Sequence, residues 1–423
     1  MKLMLPYGRG ELEAHVADGR SVQVLRAHSV APTRPAAAVI QAAIDAPYGD
    51  RRLAELARGK RSAVLIASDH TRPVPSRWIL PPILEELRRG SPDIQLTVLI
   101  ASGCHRDMTQ AELEQKFGLE LLEQVSIVQH HGGDSSCLVD MGTLPSGGPL
   151  LVNQVAAQAE LLISEGFIEP HFFAGFSGGR KSVLPGVAGR NTIFYNHSAG
   201  MIDDPRARAG ILEGNPIHRD MQAAAERVGL AYLCNVVLNE DKQVVAAVAG
   251  DPVLAHQAGC EIVREMTQVS GQPTPIVLTT NGGYPLDQNL YQCVKGISTG
   301  AQACLPGGVI ILCAQCEDGH GGEGFYQALR TCSSPQALLD EIRSTPPQQT
   351  RVDQWQYQIL ARVLARQHVI MVTRPELGAM VREMHMEYAP DVETALDMAD
   401  RIVGQGADLT VLPDGVGTIF LPE

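Results

Sequence analysis

Lys181 stands in a setting that indicates chemistry more directly than that of any other residue in the chain. The residues before it, 175–180, read GFSGGR. Glycine-rich loops expose backbone N–H groups that bind anions, and a lysine beside them adds a positive charge. A Walker A loop needs glycine directly before its Lys-Ser pair, and because Arg180 occupies that position, ATP hydrolysis is a poor interpretation. The alternative is a flexible glycine loop that has no function.

Histidines accompany this loop on both sides. His171 precedes it by a few residues and His197 follows it, and this concentration argues against a loop without function. A third histidine, His105, stands in the segment ASGCHR (residues 101–106), just past an apolar run. Because the ordinary pKa of histidine lies near neutrality, His105 suits a general acid or base. A structural histidine is the alternative.

A polar loop is expected at residues 68–73, which read SDHTRP and also follow an apolar run. Asp69 and Arg72 are placed to meet a ligand, and the hydroxyl of Thr71 can donate to a phosphate or a carboxylate. The alternative is a solvated turn closed by Asp69, since aspartate often bonds to the backbone two residues on.

A helix face is expected at Tyr291, Gln292 and Lys295. Tyr291 and Lys295 are four residues apart and share one face of a helix, with Gln292 beside them. A hydroxyl, an amide and an ammonium on one surface suit a polar ligand that carries a carboxylate. An exposed helix face without a ligand is the alternative.

The elements that must position these residues alternate between apolar runs and amphipathic stretches. The runs are continuous, as in strands buried on both faces, and they occupy residues 63–67, 96–100, 161–164, 275–279, 309–313, 369–373 and 409–412. Helical spacing recurs at residues 81–89, 336–343 and 352–366. The pattern predicts an α/β protein with two α/β domains and largely parallel sheets. Ligands of such sheets lie beyond the carboxyl ends of the strands, where the polar segments occur.

A domain boundary is expected at the Pro/Gly-rich residues 270–275, because the length of 423 residues exceeds one ordinary core. Residues 1–270 would form an N-terminal domain that carries Lys181. Residues 271–407 would form a C-terminal domain that contributes the 291–295 face. The tail, residues 408–423, would finish the second sheet or return to the N-terminal domain.

Composition narrows the classes of partner and the compartment. The net charge of −13 disfavours nucleic acid, and no apolar run is long enough to span a membrane. The N-terminal residues lack the apolar core of a signal peptide, so nine reduced cysteines in the cytoplasm are expected. Cys313 and Cys316, with Cys304 nearby, allow a metal or redox pair, but small buried thiols are the favoured interpretation.

Taken together, these segments resemble the lactate racemase family, whose enzymes carry a nickel-pincer nucleotide. The resemblance covers residues 60–360, and its most specific block runs from residue 170 to 197. It implies two α/β domains with the cofactor in the cleft between them. It also implies racemisation or epimerisation of a small 2-hydroxy acid, and separate enzymes that synthesise the cofactor.

The resemblance assigns cofactor roles to particular residues. Lys181 matches the lysine that holds the pyridinium-3-thioamide-5-thiocarboxylic acid mononucleotide covalently, through a thioamide. His197 matches the histidine that ligates nickel, whose other ligands are two sulfurs and a carbon of the cofactor. Further positions on the cofactor side are Asp69, Thr71, Ser177, Gly178, Gly179 and Trp355.

The resemblance also assigns the catalytic and substrate roles. His105 and His171 match an acid–base pair on opposite sides of the substrate. The residues that match those holding the substrate carboxylate and hydroxyl are Arg72, Tyr291, Gln292 and Lys295. Hydride removal by the cofactor avoids the costly carbanion that proton abstraction beside an ionised carboxylate would create. Two histidines then serve the two enantiomers.

Two other functions and several substrates remain open at this point. A nicotinamide-dependent hydroxy acid dehydrogenase is the main alternative, although no G-x-G-x-x-G follows a predicted strand. A cofactor-carrying protein without turnover is the other. Lactate is the smallest candidate substrate, followed by malate and sugar acids. Arg106 or Arg180 would suit a second carboxylate, with a surface charge as the favoured alternative. Oligomeric state is left open.

Overall fold

The computed structural model describes residues 1–17, 19–103 and 105–423, so Cys104, beside the predicted base, lies outside the described residues. Within those ranges the strands are β1 Lys2–Tyr7, β2 Gly10–His15, β3 Val22–Val24, β4 Ser62–Ser68, β5 Gln95–Ala101, β6 Ser126–Gln129, β7 Leu138–Thr143, β8 Pro149–Asn153, β9 Leu162–Ile168, β10 Pro170–His171, β11 Gly175–Phe176, β12 Leu230–Leu238, β13 Val244–Gly250, β14 Gln268–Gly271, β15 Thr274–Thr280, β16 Cys304–Cys313, β17 His368–Val372, β18 Glu387–Ala389, β19 Leu409–Leu412 and β20 Ile419–Pro422.

Helices lie between most of the strands. They are α1 Ala36–Asp45, α2 Leu53–Ala57, α3 Ser76–Gly90, α4 Gln110–Phe117, α5 Leu119–Leu122, α6 Gln154–Ala157, α7 Arg190–Asn196, α8 Ala199–Asp203, α9 Pro216–Val228, α10 Pro252–Thr267, α11 Leu290–Ala303, α12 Glu323–Thr331, α13 Pro335–Ser344, α14 Gln354–Leu364, α15 Gly378–Glu383 and α16 Val392–Val403. No helix among the described residues is long and apolar enough to cross a membrane.

The chain divides into two compact units. The anchor unit, named for Lys181, comprises Ser29–Asn196 and Asp204–Met266. The helix-face unit, named for the predicted substrate helix, comprises Met1–His28, His197–Asp203 and Thr267–Glu423.

The anchor unit is built on a six-stranded sheet in the order β13-β12-β9-β4-β5-β6. All neighbours are parallel except β12 and β13, which pair antiparallel at the edge. Every residue of β9 is buried, and so are the five central residues of β4. The continuous apolar runs therefore arise from strands that are covered on both faces, and the predicted α/β class with largely parallel sheets is confirmed.

The helix-face unit has a second six-stranded sheet, in the order β18-β17-β16-β15-β19-β3, with all neighbours parallel. Its core is formed by aliphatic side chains of the central strands, packed against Val392, Ala395 and Ala399 of α16. Two outlying strands, β14 and β20, pair with each other in parallel.

The unit borders differ from the expected domains at two places, and residues 408–423 take the first of the two placements left open for them. Residues 1–28 join the helix-face unit because β3 pairs with β19 at the edge of its sheet. Residues 408–423 stay in that unit, since β19 pairs with β15 and β20 pairs with β14. The short segment His197–Asp203 also belongs there, although residues on either side of it belong to the anchor unit.

Helix α3 shows how tertiary packing overrides a local signal. Its predicted start was residue 81, the first of two adjacent prolines, but the helix begins at Ser76 and contains Pro81 and Pro82. Proline interrupts the backbone bonds of a helix interior. Ile79 and Leu80, directly before the two prolines, are buried, and their burial nevertheless extends the helix toward the polar loop that precedes it.

The eight cysteines among the described residues are free thiols. Cys313 and Cys316 are buried, and Cys316 lies 3.7 Å from the sulfur of Cys293. No group of three or more His, Cys, Asp or Glu side chains suited to a metal occurs in residues 1–17, 19–103 and 105–423.

Candidate active site

Three predicted segments leave the sheet of the anchor unit at one edge. They follow β4, β5 and β9, and because these neighbouring strands are parallel, their carboxyl ends lie together. A backbone hydrogen bond of 3.0 Å from Gly103 N to Gly186 O joins the segment after β5 to the one that carries Lys181. The fold thus brings the aspartate loop, His105 and the lysine loop to the same side of one sheet.

Asp69 organises the loop after β4. Its Oδ1 accepts from the backbone N–H of Thr71 at 3.0 Å and from the hydroxyl of Thr71 at 2.6 Å. Its Oδ2 lies 2.7 Å from Nδ1 of His105. Asp69 is buried, whereas the imidazole of His105 is about half exposed. The carboxylate therefore orients a histidine whose other nitrogen, Nε2, is free of that contact.

The charge of Asp69 is maintained by these contacts. Burial alone would raise its pKa, but hydrogen bonds from His105 and Thr71, with the charges of His105 and Arg72, outweigh burial and lower the pKa to about 2. With an ionised carboxylate as its partner, Nδ1 of His105 carries a proton, and Nε2 of the neutral ring holds the lone pair.

Arg72 lies exposed near the end of the same loop, with its guanidinium close enough to Asp69 to affect the titration of that carboxyl. Its backbone carbonyl accepts from Nζ of Lys116 at 3.4 Å. Arg106, in contrast, is committed elsewhere, because it forms a two-point ion pair with Glu112 at 2.7 and 2.9 Å.

His171 lies in an aromatic setting. Its ring stacks on Phe172 with centroids 5.1 Å apart and meets Phe173 edge-on at 4.5 Å. The backbone N–H of Ala174 donates to Nδ1 of His171 at 3.3 Å. Nζ of Lys181 lies 5.8 Å from the centroid of the same Phe173 ring. A single buried phenylalanine thus contacts both the predicted anchor and one predicted acid–base group.

The turn before Lys181 requires glycine for its own conformation. Gly178 and Gly179 have positive φ angles of 72° and 55°. A Cβ on Gly179 would lie 2.5 Å from the ring of His256. The hydroxyl of Ser177 donates to Phe167 O at 3.0 Å and accepts from the backbone N–H of Glu169 at 2.9 Å. It stays a prediction that a cofactor contacts Ser177, Gly178 and Gly179. The bonds of the serine and the positive φ angles of the glycines are a structural reason for these residue types.

Arg180 is buried inside the protein. Its guanidinium donates to Nδ1 of His218 at 2.9 Å and to Ala174 O at 2.8 Å, and it lies 2.9 Å from Nε2 of His256. Burial lowers its pKa to about 10, which still leaves it charged at neutral pH. Burial, with the charge of Arg180, lowers the pKa of His218 to about 4. Arg180, which distinguishes this loop from a Walker A motif, thus fixes the turn through its buried contacts.

The helix-face unit holds a second set of predicted residues on α11. Tyr291, Gln292 and Lys295 are partly exposed, while Cys293 and Val294 between them are buried. The cap of the helix is Asn289, whose side chain accepts from the backbone N–H of Gln292 at 3.0 Å. The predicted polar face therefore exists, and its members lie together on the first turns of α11.

Tyr291 is held by groups that the sequence did not indicate. Its hydroxyl donates to Oδ1 of Asp353 at 3.0 Å, and its ring meets Phe325 edge-on at 5.4 Å. Asp353 has a φ of 63°, an uncommon conformation for a residue other than glycine, directly before α14. Burial raises the pKa of Asp353, and the bond from Tyr291 opposes that rise.

His197 and Trp355 form the remaining pair of predicted residues in this unit. Their rings meet edge-on with centroids 5.1 Å apart, and the imidazole is buried. Helix α8, which follows His197, is bonded to the α13–α14 pair. Asp203 accepts from Arg343 at 2.7 Å and from Gln358 at 3.1 Å.

The imidazole of His197 fits a metal whose other ligands belong to a bound cofactor. A protein-only nickel or zinc site needs three or four side-chain ligands. Because the described residues contain no such group, a metal held by the imidazole of His197 needs its other donors from a bound cofactor. A lysine amine on a glycine-rich turn, as at Lys181, is the group that would tether one.

Several residues at the site carried no recognisable signal. Phe173 looked like an ordinary apolar residue, although the FF pair beside His171 is an aromatic cluster in an aromatic-poor chain. Asp353 had no motif around it. Only the hydrogen bond from Tyr291 identifies Asp353 as part of the site.

Comparison with known proteins finds relatives along most of the chain. Residues 7–210 match the lactate racemase N-terminal domain, and residues 269–420 match the lactate racemase C-terminal domain. A lactate racemase from Thermoanaerobacterium thermosaccharolyticum is 47% identical over 417 residues, which cover 98% of each chain. A lactate racemase from Lactiplantibacillus plantarum is 48% identical over 380 residues, or 90% of each chain.

Solved structures show the same relationship. The structure of the lactate racemase apoprotein from T. thermosaccharolyticum superposes with a TM-score of 0.96, at 46% identity and full coverage of both chains. A protein from Thermotoga maritima has a TM-score of 0.62 at 20% identity, covering 88% of this chain and 96% of its own, and shares the fold. The chain belongs to the lactate racemase family and is an isomerase of the racemase class.

Proposed function

We propose that this enzyme interconverts the enantiomers of lactate, or of a similarly small 2-hydroxy acid, with a nickel-pincer nucleotide attached at Lys181 and its nickel ligated by His197. The observation that carries this proposal is the position of Phe173, whose ring contacts both Lys181 and His171. An anchor for a reactive group and an acid–base group must lie close together if both serve one reaction.

The chemistry of a 2-hydroxy acid explains why such a group is needed. Its Cα–H is a poor acid while the neighbouring carboxylate is ionised. When bound, the cofactor would supply a carbon that accepts a hydride from the substrate and returns it. The protein's own residues then have to move the hydroxyl proton, hold the carboxylate and exclude water.

His105 is proposed to remove the hydroxyl proton. Asp69 holds the Nδ1 proton, so that Nε2 is the basic nitrogen, and the ionised carboxylate stabilises the imidazolium that forms. His171 is proposed to serve the opposite enantiomer. Each histidine acts as a base in one direction and returns the proton as an acid in the other.

Arg72, Tyr291, Gln292 and Lys295 are proposed to hold the substrate carboxylate and hydroxyl. A carboxylate that stays bound lets the oxidised carbon turn, so that hydride returns to its other face. Lactate is favoured over a dicarboxylic acid such as malate. Neither arginine considered for a second carboxylate is available, because Arg106 is paired with Glu112 and Arg180 is buried among histidines.

A panel of single-enantiomer 2-hydroxy acids offered to the nickel-loaded holoenzyme tests the proposal. We expect optical rotation to decay fastest with lactate, at constant NAD(P)H absorbance. Reduction of NAD(P)⁺ would instead indicate a dehydrogenase. Inertness toward every acid despite bound nickel would leave a carrier protein and contradict the proposal.

Covalent attachment is tested by intact mass. Lys181→Ala should lose the cofactor mass completely. Lys295→Ala is the matched control, because it removes a lysine proposed to bind substrate and should keep the adduct while turnover falls. Retention of the full adduct by Lys181→Ala would exclude Lys181 as the anchor.

A further inference from the structure

We propose that Glu165 is a positioning residue, which with Lys116 fixes the loop of residues 68–76 and thereby places Asp69 and Arg72. The inference rests on the proposed function, since it concerns residues of that site. Neither Glu165 nor Lys116 lies on the loop, and neither is near enough in sequence to suggest a link with it.

Glu165 lies in the interior of the sheet. It is 3% exposed in the middle of β9, which pairs in parallel with β4, the strand that leads into the loop. Oε1 of Glu165 accepts from the hydroxyl of Ser76 at 2.7 Å. Ser76 is fully buried and is the first residue of α3, where the loop ends. The carboxyl therefore ties the far end of the loop to a strand of the sheet.

The near end of the loop leaves β4, the strand that pairs with the strand of Glu165. Burial raises the pKa of Glu165, while Lys116, Ser76 and Ser68 favour its charged form. Ser68 is the last residue of β4, directly before Asp69. Glu165 thus bonds to the residue at the end of the loop and lies on the strand that pairs with β4, where the loop begins.

Lys116 holds the middle of the loop. Its ammonium, on the last turn of α4, donates to the carbonyls of Arg72 and Val74 at 3.4 and 3.5 Å. Burial lowers the pKa of Lys116, and the carboxylates of Glu165 and Asp69 oppose that change. Without Lys116 the carbonyls of Arg72 and Val74 lose a donor, and without the charge of Glu165 the bond from Ser76 weakens. Either change should therefore loosen the loop.

Glu86 provides an internal comparison. It is buried in the same unit, on α3, and it pairs with Arg52 and Arg89. Both of these partners lie outside residues 68–76. A role limited to folding would make substitutions of Glu165 and Glu86 equivalent, whereas a positioning role would not.

The experiment compares Glu165→Gln, Lys116→Met, their double variant and Glu86→Gln. Each is taken as folded, nickel-loaded holoenzyme. Hydrogen–deuterium exchange over residues 68–76 reports on the loop without turnover, and kcat and KM for lactate report on the site. Glutamine preserves the shape of Glu165 and an acceptor for Ser76, so the variant removes mainly the charge.

We expect faster exchange confined to residues 68–76 in both single variants, and a loss in kcat/KM of about tenfold to a hundredfold as the loop shifts. The double variant should fall no further than the worse single variant, because both substitutions release the same loop. Glu86→Gln should keep wild-type exchange over residues 68–76 and wild-type kinetics.

Two results would overturn the inference. One is unchanged exchange and kinetics in both single variants. The other is a set of additive losses in kcat/KM that follow only a lowered midpoint of thermal unfolding. Such losses would give Glu165 a role in folding alone, like that of Glu86. If Glu165→Gln does not fold, Lys116→Met alone decides by the same two measurements. Failure of the wild type to racemise any acid would refute the proposed function, while the exchange data would still report on the loop.

Discussion

The two histidines proposed as acid and base lie in opposite chemical surroundings. Nδ1 of His105 faces a buried carboxylate at 2.7 Å. Nδ1 of His171 instead receives a backbone N–H at 3.3 Å, and the ring packs between Phe172 and Phe173. The first histidine is oriented by charge and the second by a neutral donor and by aromatic contacts.

This difference assigns different neutral tautomers. A carboxylate partner places the proton of neutral His105 on Nδ1 and leaves Nε2 as an acceptor. A donated N–H places the lone pair of neutral His171 on Nδ1 and the proton on Nε2. With both rings neutral, His105 is thus ready to accept a proton at Nε2, whereas His171 gives one only from its protonated, imidazolium form.

The asymmetry has a defined kinetic form. Two enantiomers have equal free energy, so kcat/KM must be the same for both directions of a racemase. A difference between the two histidines therefore appears in the separate kcat and KM values for the two enantiomers. It also appears in which half-reaction each histidine variant slows. The following substitutions act on one side of this comparison at a time.

The largest effect is expected when either ring is removed. His105→Gln and His171→Gln should each lower racemisation by about 10³-fold or more, because general acid–base catalysis contributes on the order of 10²–10⁴-fold per group. Polarimetry with lactate of each configuration measures the loss. Turnover like that of the wild type in either variant would remove that histidine from the pair.

Asp69→Asn should act on the His105 side alone. An amide at this position favours the wrong tautomer of the imidazole, and we expect kcat to fall by about 10²-fold or more. Asp107→Asn is the matched control, because Asp107 pairs with His131 at 2.9 Å in an exposed carboxylate–histidine pair outside the site. Equal losses in the two variants would contradict a specific role for Asp69.

Phe173→Leu should act on the His171 side with a smaller effect. Edge-on aromatic pairs contribute about 1 kcal/mol beyond burial, which corresponds to roughly a fivefold change in rate if the contact orients the ring. Phe420→Leu, at a buried phenylalanine of β20, controls for loss of core volume. Kinetics of Phe173→Leu that match those of Phe420→Leu would show that the aromatic contacts do not orient His171.

Stability against pH gives the smallest effect. The pKa of Asp69 is about 2 in the folded protein, below its ordinary value of 3.8. A depressed pKa stabilises the fold above the unfolded value, by about 2 kcal/mol here, and this contribution is lost as pH falls through 3.8 toward 2. Urea unfolding of wild type and Asp69→Asn should differ by a constant amount above about pH 5 and converge below it. A difference independent of pH would contradict the assigned charge.

Residue type and local pattern predicted much of this molecule. Continuous apolar runs such as residues 63–67 are buried on both faces in β4, and the loops that follow such strands carry Asp69, His105 and Lys181. The polar face of α11 also followed from spacing alone. These features depend on neighbours in sequence, which the chain itself displays.

Contacts between residues far apart in the chain could not be predicted from the sequence. The bond from Tyr291 to Asp353 joins residues 62 positions apart, and no pattern marks Asp353. His197 packs with Trp355 because α8 is held by α13 and α14, whereas its sequence position suggested the other domain. Pairing of β3 with β19 likewise joins opposite ends of the chain.

The central claim, that the hydrogen at the reacting carbon moves as a hydride while histidines move only the hydroxyl proton, is tested most directly by an isotope label. Lactate deuterated at Cα is converted by nickel-loaded enzyme in ordinary water, and the deuterium content of the inverted enantiomer is measured by mass spectrometry. We predict that the product keeps its deuterium. Replacement of the label by solvent hydrogen at the rate of inversion would show proton abstraction at Cα and contradict the account.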